Sequence, residues 1–166
     1  MKMELIQPFI NAADAVLAET LQCSTKIGDV NMDDEVYRRK GVAAFIAIHG
    51  DIEGRVIFDI DNNTAAAIAA ALSGAPVEES QTMVKETVFE LANLVIGNAV
   101  TTLNDMGFRF KITPPELHTE DEGFAGSADT EALVLCFDTP SGSVYMNIAM
   151  RYNRRRKTER DNVVAS

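Results

Sequence analysis

The 166-residue chain sets 15 Lys and Arg against 25 Asp and Glu, a net charge of −10, and is 46% hydrophobic. That length suits one domain with a substantial core, and no apolar run approaches the roughly 18 residues a membrane span needs. An acidic surface repels phosphates, which argues against nucleic acid as the main partner and favours one with a basic rim or an exposed lysine.

The charge is unevenly placed. Residues 151–166 hold six Lys and Arg and two acids, so residues 1–150 carry −14. One domain over residues 1–153, followed by a basic, solvated and disordered tail over 154–166, is expected. The opening Met1-Lys2-Met3-Glu4 lacks the apolar stretch of a signal peptide, so a cytoplasmic location is expected.

In chain order, Pro8 fits a first helical turn, and Phe9, Ala12, Ala13, Val16, Leu17 and Leu21 form an apolar face, predicting a helix over 8–21. Residues 24–40 are polar and irregular, with room for a short strand. Val42–His49 and Arg55–Ile60 predict a β-hairpin around Gly50-Asp51-Ile52-Glu53-Gly54. Asn62 or Asn63 caps a second helix through the alanine-rich 64–72, which stops at Ser73-Gly74-Ala75-Pro76. The longest helix is predicted over 81–105, ended by Gly107. A strand over 108–112 runs into Pro114-Pro115, and residues 116–131 read as an acidic loop. Residues 132–137 and 143–151 form a second hairpin across Thr139-Pro140-Ser141-Gly142. Hairpins interrupted by helices predict an α+β fold, an antiparallel sheet with helices packed on one side.

Ligand chemistry is sparse. Cys23 and Cys136 are far apart, each in an apolar setting that suits a reduced core cysteine, and His49 and His118 show no zinc spacing. Asp59-Ile60-Asp61-Asn62-Asn63 resembles the start of a calcium loop. Thr64 and Ala70 replace its glycine and its closing glutamate, so a strand end plus a helix cap explains it better. No metal of the protein's own is expected.

The long helix carries a polar stripe. At about 100° per residue, Glu86, Glu90, Asn93, Gly97, Thr101 and Asn104 fall within roughly 80° of one another. Val84, Val88, Leu91, Val95, Ala99 and Met106 lie opposite. Glu90 and Asn93, at i and i+3, project side by side. A Glu-x-x-Asn occurs by chance in about half of chains this long, and a solvent-facing surface with an acidic bias is the simpler account of the pattern alone.

Glu90-Leu-Ala-Asn93-Leu-Val-Ile-Gly97-Asn98-Ala99 resembles the signature of the CheC/CheX/FliY chemotaxis phosphatases, and CheX most. The similarity extends to the short start leading to Pro8-Phe9-Ile10 and the first helix, the 44–60 hairpin with its paired glycines, and the Ile112-Thr-Pro114-Pro115 exit. It thus covers roughly residues 4–151. CheC-like members typically carry two such helices, and the body here has one, which favours CheX. The resemblance implies a CheC-like architecture and hydrolysis of the phospho-aspartate of a CheY-like receiver domain. It makes Asn93 the water-positioning residue and Glu90 the residue that pairs with the receiver's lysine. Mg²⁺ is expected on the receiver and no cofactor on this chain. Gly97 leaves room for close approach, while Glu86, Asn98 and Thr101 are candidates for the contact rim. A homodimer is expected from the same similarity. Two other functions fit the same face: a non-catalytic adaptor that binds a receiver, and a structural domain that dimerises through its sheet edges.

Overall fold

The computed structural model describes residues 3–22, 24–33, 39–74, 81–119 and 132–153. Its elements are α1 (Met3–Leu21), β1 (Lys26–Asp33), β2 (Val42–Gly50), β3 (Ile52–Ile60), α2 (Asn62–Ser73), α3 (Gln81–Asp105), β4 (Phe110–Ile112), β5 (Glu116–His118), β6 (Ala132–Thr139) and β7 (Gly142–Tyr152). The strands form one antiparallel sheet in the order β1-β6-β7-β3-β2-β4, with β5 also paired to β2.

Alternation along the strands sorts residues between the faces. Ala44, Ile46 and Ile48 of β2, Val56, Phe58 and Ile60 of β3, and Val144, Met146 and Ile148 of β7 enter one large core with the apolar sides of all three helices. Phe9, Phe58 and Phe137 are its largest fully buried side chains. Each contributes about 1.5–3 kcal/mol by leaving water. On the opposite face, Ala43 and Ile57 form a small separate cluster with Phe45. There Arg55 donates to Asn147 Oδ1 at 2.6 Å, and desolvation lowers the guanidinium pKa. The α+β class with helices on one side of an antiparallel sheet is therefore observed.

Several local expectations shift. The first helix begins at Met3, five residues before Pro8, because Leu5 and Ile6 are fully buried. Pro8 costs it one backbone hydrogen bond near an end that already has free N–H groups. The irregular stretch contains the eight-residue β1, with a bulge between Ile27 and Val30. Part of the expected 116–131 loop is β5, whose Leu117 pairs with Ala44. The second helix is capped by Asp61, whose carboxylate accepts from the Thr64 backbone N–H at 2.8 Å, in place of Asn62 or Asn63. Met106 lies past the end of α3 and is exposed, so it does not join the apolar side. Cys136 is a free, half-buried cysteine on the sheet face away from the helices, outside the main core. Cys23, residues 120–131 and the basic tail from 154 onward lie outside the described residues.

Candidate functional site

The orientation of α3 is set by what it buries. Val84, Val88, Leu91, Val95, Ala99 and Leu103 are each at most 2% exposed, a row spaced by three or four residues over nearly the whole helix. The helix packs against α1 and α2 and across β2 and β3. Anchored this way, it cannot roll, and its opposite side faces solvent at a defined angle.

The polar stripe is on that opposite side. Glu86, Glu90, Asn93, Gly97, Thr101 and Asn104 are all exposed. Glu90 and Asn93 lie mid-helix, separated by about 60° around the axis and about 4.5 Å along it. Among the described residues, neither side chain has a hydrogen-bond or ion-pair partner. Leaving polar groups exposed to water costs little. A carboxylate and a carboxamide held side by side on a rigid rod offer three acceptor oxygens and the two N–H donors of one amide to whatever docks.

The remaining candidates divide. Glu86 extends the stripe one turn toward the N-terminus. Gly97 extends it toward the C-terminus, and a methyl group built there meets nothing within 4 Å. Thr101 is on the stripe, but its hydroxyl donates to the Gly97 carbonyl at 3.0 Å, so that proton is already used inside the helix. Asn98 turns away from the stripe and lines a groove of about 440 Å³ between α1 and α3, with Gln7, Asn11, Thr102 and Met106. Among the described residues, no cluster of three or more His, Cys, Asp or Glu is arranged to hold a metal, and no helix is long and apolar enough to cross a membrane.

One feature of the face is missing from the polar pattern: Phe89 and Leu94 are exposed, at 39% and 48%. Reading α3 as a polar stripe on an otherwise apolar helix assigns both to the interior by default. Their helical angles were the available signal, since Phe89 falls about 40° from Asn93 and Leu94 about 40° from Glu90.

The chemotaxis phosphatase CheX family model matches residues 42–138, more than half of the chain and including the whole Glu90–Asn98 stretch. No curated protein matches by sequence. Among solved structures, a CheC-like superfamily protein from Shewanella sp. PV-4 has a TM-score of 0.80 and 23% identity, covering 91% of this chain and 99% of its own. The CheX of Vibrio vulnificus has a TM-score of 0.77 and 21% identity, covering 89% and 99%. These two show the shared fold. The CheX–CheY–BeF3–Mg²⁺ complex from Borrelia burgdorferi contains a chain with a TM-score of 0.73 and 32% identity, covering 90% and 99%. By the family model and that similarity, this chain belongs to the CheX chemotaxis phosphatases.

Proposed function

We propose that this protein hydrolyses the phospho-aspartate of a CheY-like receiver by inserting the exposed face of α3 into the receiver's active site. One observation carries the reading: Glu90 and Asn93 stand adjacent and exposed on an immobilised helix, without a partner among the described residues. The related Borrelia structure, a CheX with an activated CheY, supports the choice of partner.

The reaction is attack of water on phosphorus with cleavage of the phosphorus–carboxylate bond, releasing inorganic phosphate and the free aspartate. Such transfer depends on alignment and charge neutralisation rather than on covalent help from the enzyme. The Asn93 carboxamide oxygen accepts a hydrogen bond from the water and holds it in line without removing its proton. Fixing the nucleophile in this way lowers the barrier by several kcal/mol (roughly 3–7, below the full range for intramolecular alignment). The Glu90 carboxylate pairs with the receiver's lysine in a contact strengthened by partial desolvation. The Mg²⁺ that neutralises the phosphoryl oxygens belongs to the receiver.

A phosphate-release assay against a panel of phosphorylated receivers tests this. Asn93→Ala is expected to lower stimulated hydrolysis by about 100-fold or more while leaving receiver binding intact, on the scale of losing one aligned catalytic contact. Glu90→Ala is expected to weaken both. A wild-type protein that binds activated receivers yet leaves the phospho-aspartate lifetime unchanged is an adaptor, and the proposal is then wrong.

The same reading includes a homodimer. Among the described residues, β1 has one unpaired edge, and its Ile27, Val30 and Met32 are about half exposed. A second copy pairing along that edge covers both the free backbone groups and the apolar side chains.

A further inference from the structure

Resting on the phosphatase reading above, we propose that Phe89 and Leu94 are the apolar anchors that hold the receiver, a task separate from the chemistry of Glu90 and Asn93. Viewed down α3, the order across the exposed face is Phe89, Asn93, Glu90, Leu94, with steps of about 40°, 60° and 40°. Along the axis Phe89 and Leu94 are separated by about 7.5 Å, and the polar pair lies between those heights. The two apolar side chains are therefore opposite corners of a small patch whose centre is the carboxylate and the carboxamide.

Exposed apolar residues scattered singly are ordinary and need no explanation. These two flank, on both sides, a polar pair without a partner among the described residues, and they stand at the margins of the exposed face, about 20° around the axis from the buried Ile96 and Thr87 respectively. The charge of the face selects the occupant. The exposed residues of α3 include Glu86, Glu90 and Asp105 and no Lys or Arg, and its one cation, Lys85, is half-buried at the margin beyond Phe89. A partner that seats here presents a positive group beside apolar surface; the receiver's lysine in the proposed function supplies the first, and the second is part of this proposal. Seating Phe89 and Leu94 against that surface buries their apolar area at the edge of the contact, apart from the reacting atoms. Buried aromatic and aliphatic anchors of this kind carry most of the affinity in protein interfaces.

The test uses the full-length protein and a CheY-type receiver loaded with Mg²⁺ and beryllofluoride, with binding measured by calorimetry or fluorescence. Phe89→Ala and Leu94→Ala are each expected to raise Kd about tenfold, and the double variant about 50-fold or more, in the range of interface anchors. At saturating phosphorylated receiver, kcat stays within about twofold of wild type, because neither side chain touches the reacting atoms. Phe89→Leu and Leu94→Met, which keep apolar area, retain most of the affinity and control for folding. An unchanged Kd in the double variant overturns the anchor assignment while leaving the phosphatase reading intact. A collapse of kcat at unchanged Kd also overturns it, since the residues then act in the chemistry. A wild-type protein that binds no activated receiver removes both proposals.

Discussion

Gly97 lies inside α3, where a glycine lowers helix stability by about 1 kcal/mol relative to alanine. Among the described residues nothing outside its own helix turn requires it there: a methyl group would meet no such atom within 4 Å. This contrasts with Gly54 in β3, where the backbone has φ +152° and a Cβ would come within 1.9 Å of the Ala149 carbonyl oxygen, so the fold itself demands glycine. On the proposed function, the reason for Gly97 is how closely the receiver approaches the helix between Asn93 and Thr101. Gly97→Ala is expected to raise the thermal midpoint by about 2–4 °C. The same variant should lose receiver-stimulated dephosphorylation by about tenfold, as expected for one methyl pushed into a tight interface. Calorimetry and phosphate release on one preparation check both signs. Full activity in a stabilised variant would make the glycine merely tolerated.

At the scale of elements, two nearby aspartates have unlike tasks. Asp59, fully buried at the end of β3, accepts from the backbone N–H groups of Lys40 at 2.6 Å and Gly41 at 3.1 Å, tying the entry of β2 to its neighbour. Asp61, two residues on, caps α2. The sequence offered Asn62 and Asn63 for that role, and both have suitable side chains. Asp61 takes it because β3 runs to Ile60 and the next residue still holds extended geometry, with φ −66° and ψ 158°, as an N-cap requires. Asp61→Ala is expected to lower unfolding free energy by about 0.5–2 kcal/mol in a denaturant titration. Receiver-stimulated hydrolysis should be unaffected at temperatures where the variant is folded, because α2 lies apart from the exposed face of α3. A loss of turnover larger than the loss of folded protein would contradict that separation.

At the scale of the whole molecule, a seven-stranded sheet serves as a platform that fixes one helix. Its two edges differ. On one side the three-residue strands β4 and β5 share β2, which leaves only short exposed runs. On the other side β1 is eight residues long, and its apolar residues remain half in water. A lysine in the middle of a pairing edge opposes association through both charge and desolvation. Light scattering of the wild type at about 50 μM, well above the Kd range of stable homodimers, is expected to give twice the mass of 18.1 kDa. Val30→Lys is expected to shift it toward the monomer with hydrolysis per chain retained. A wild-type monomer at that concentration would refute dimerisation through this edge.

Local spacing alone determined the α3 boundaries, the two hairpins, the stripe from Glu86 to Asn104 and the adjacency of Glu90 and Asn93. Helical and strand periods are set by backbone geometry and need no distant neighbours. Tertiary structure decided what spacing leaves open. It placed β6 and β7 between β1 and β3, so the C-terminal hairpin became the middle of the sheet. It drew Leu5 and Ile6 into the core and lengthened α1 past Pro8. It also left Phe89 and Leu94 in solvent beside the polar pair. Periodicity gives the angle at which a side chain leaves its helix, but burial depends on which remote segment arrives at that angle, and among the described residues no segment packs over this face of α3.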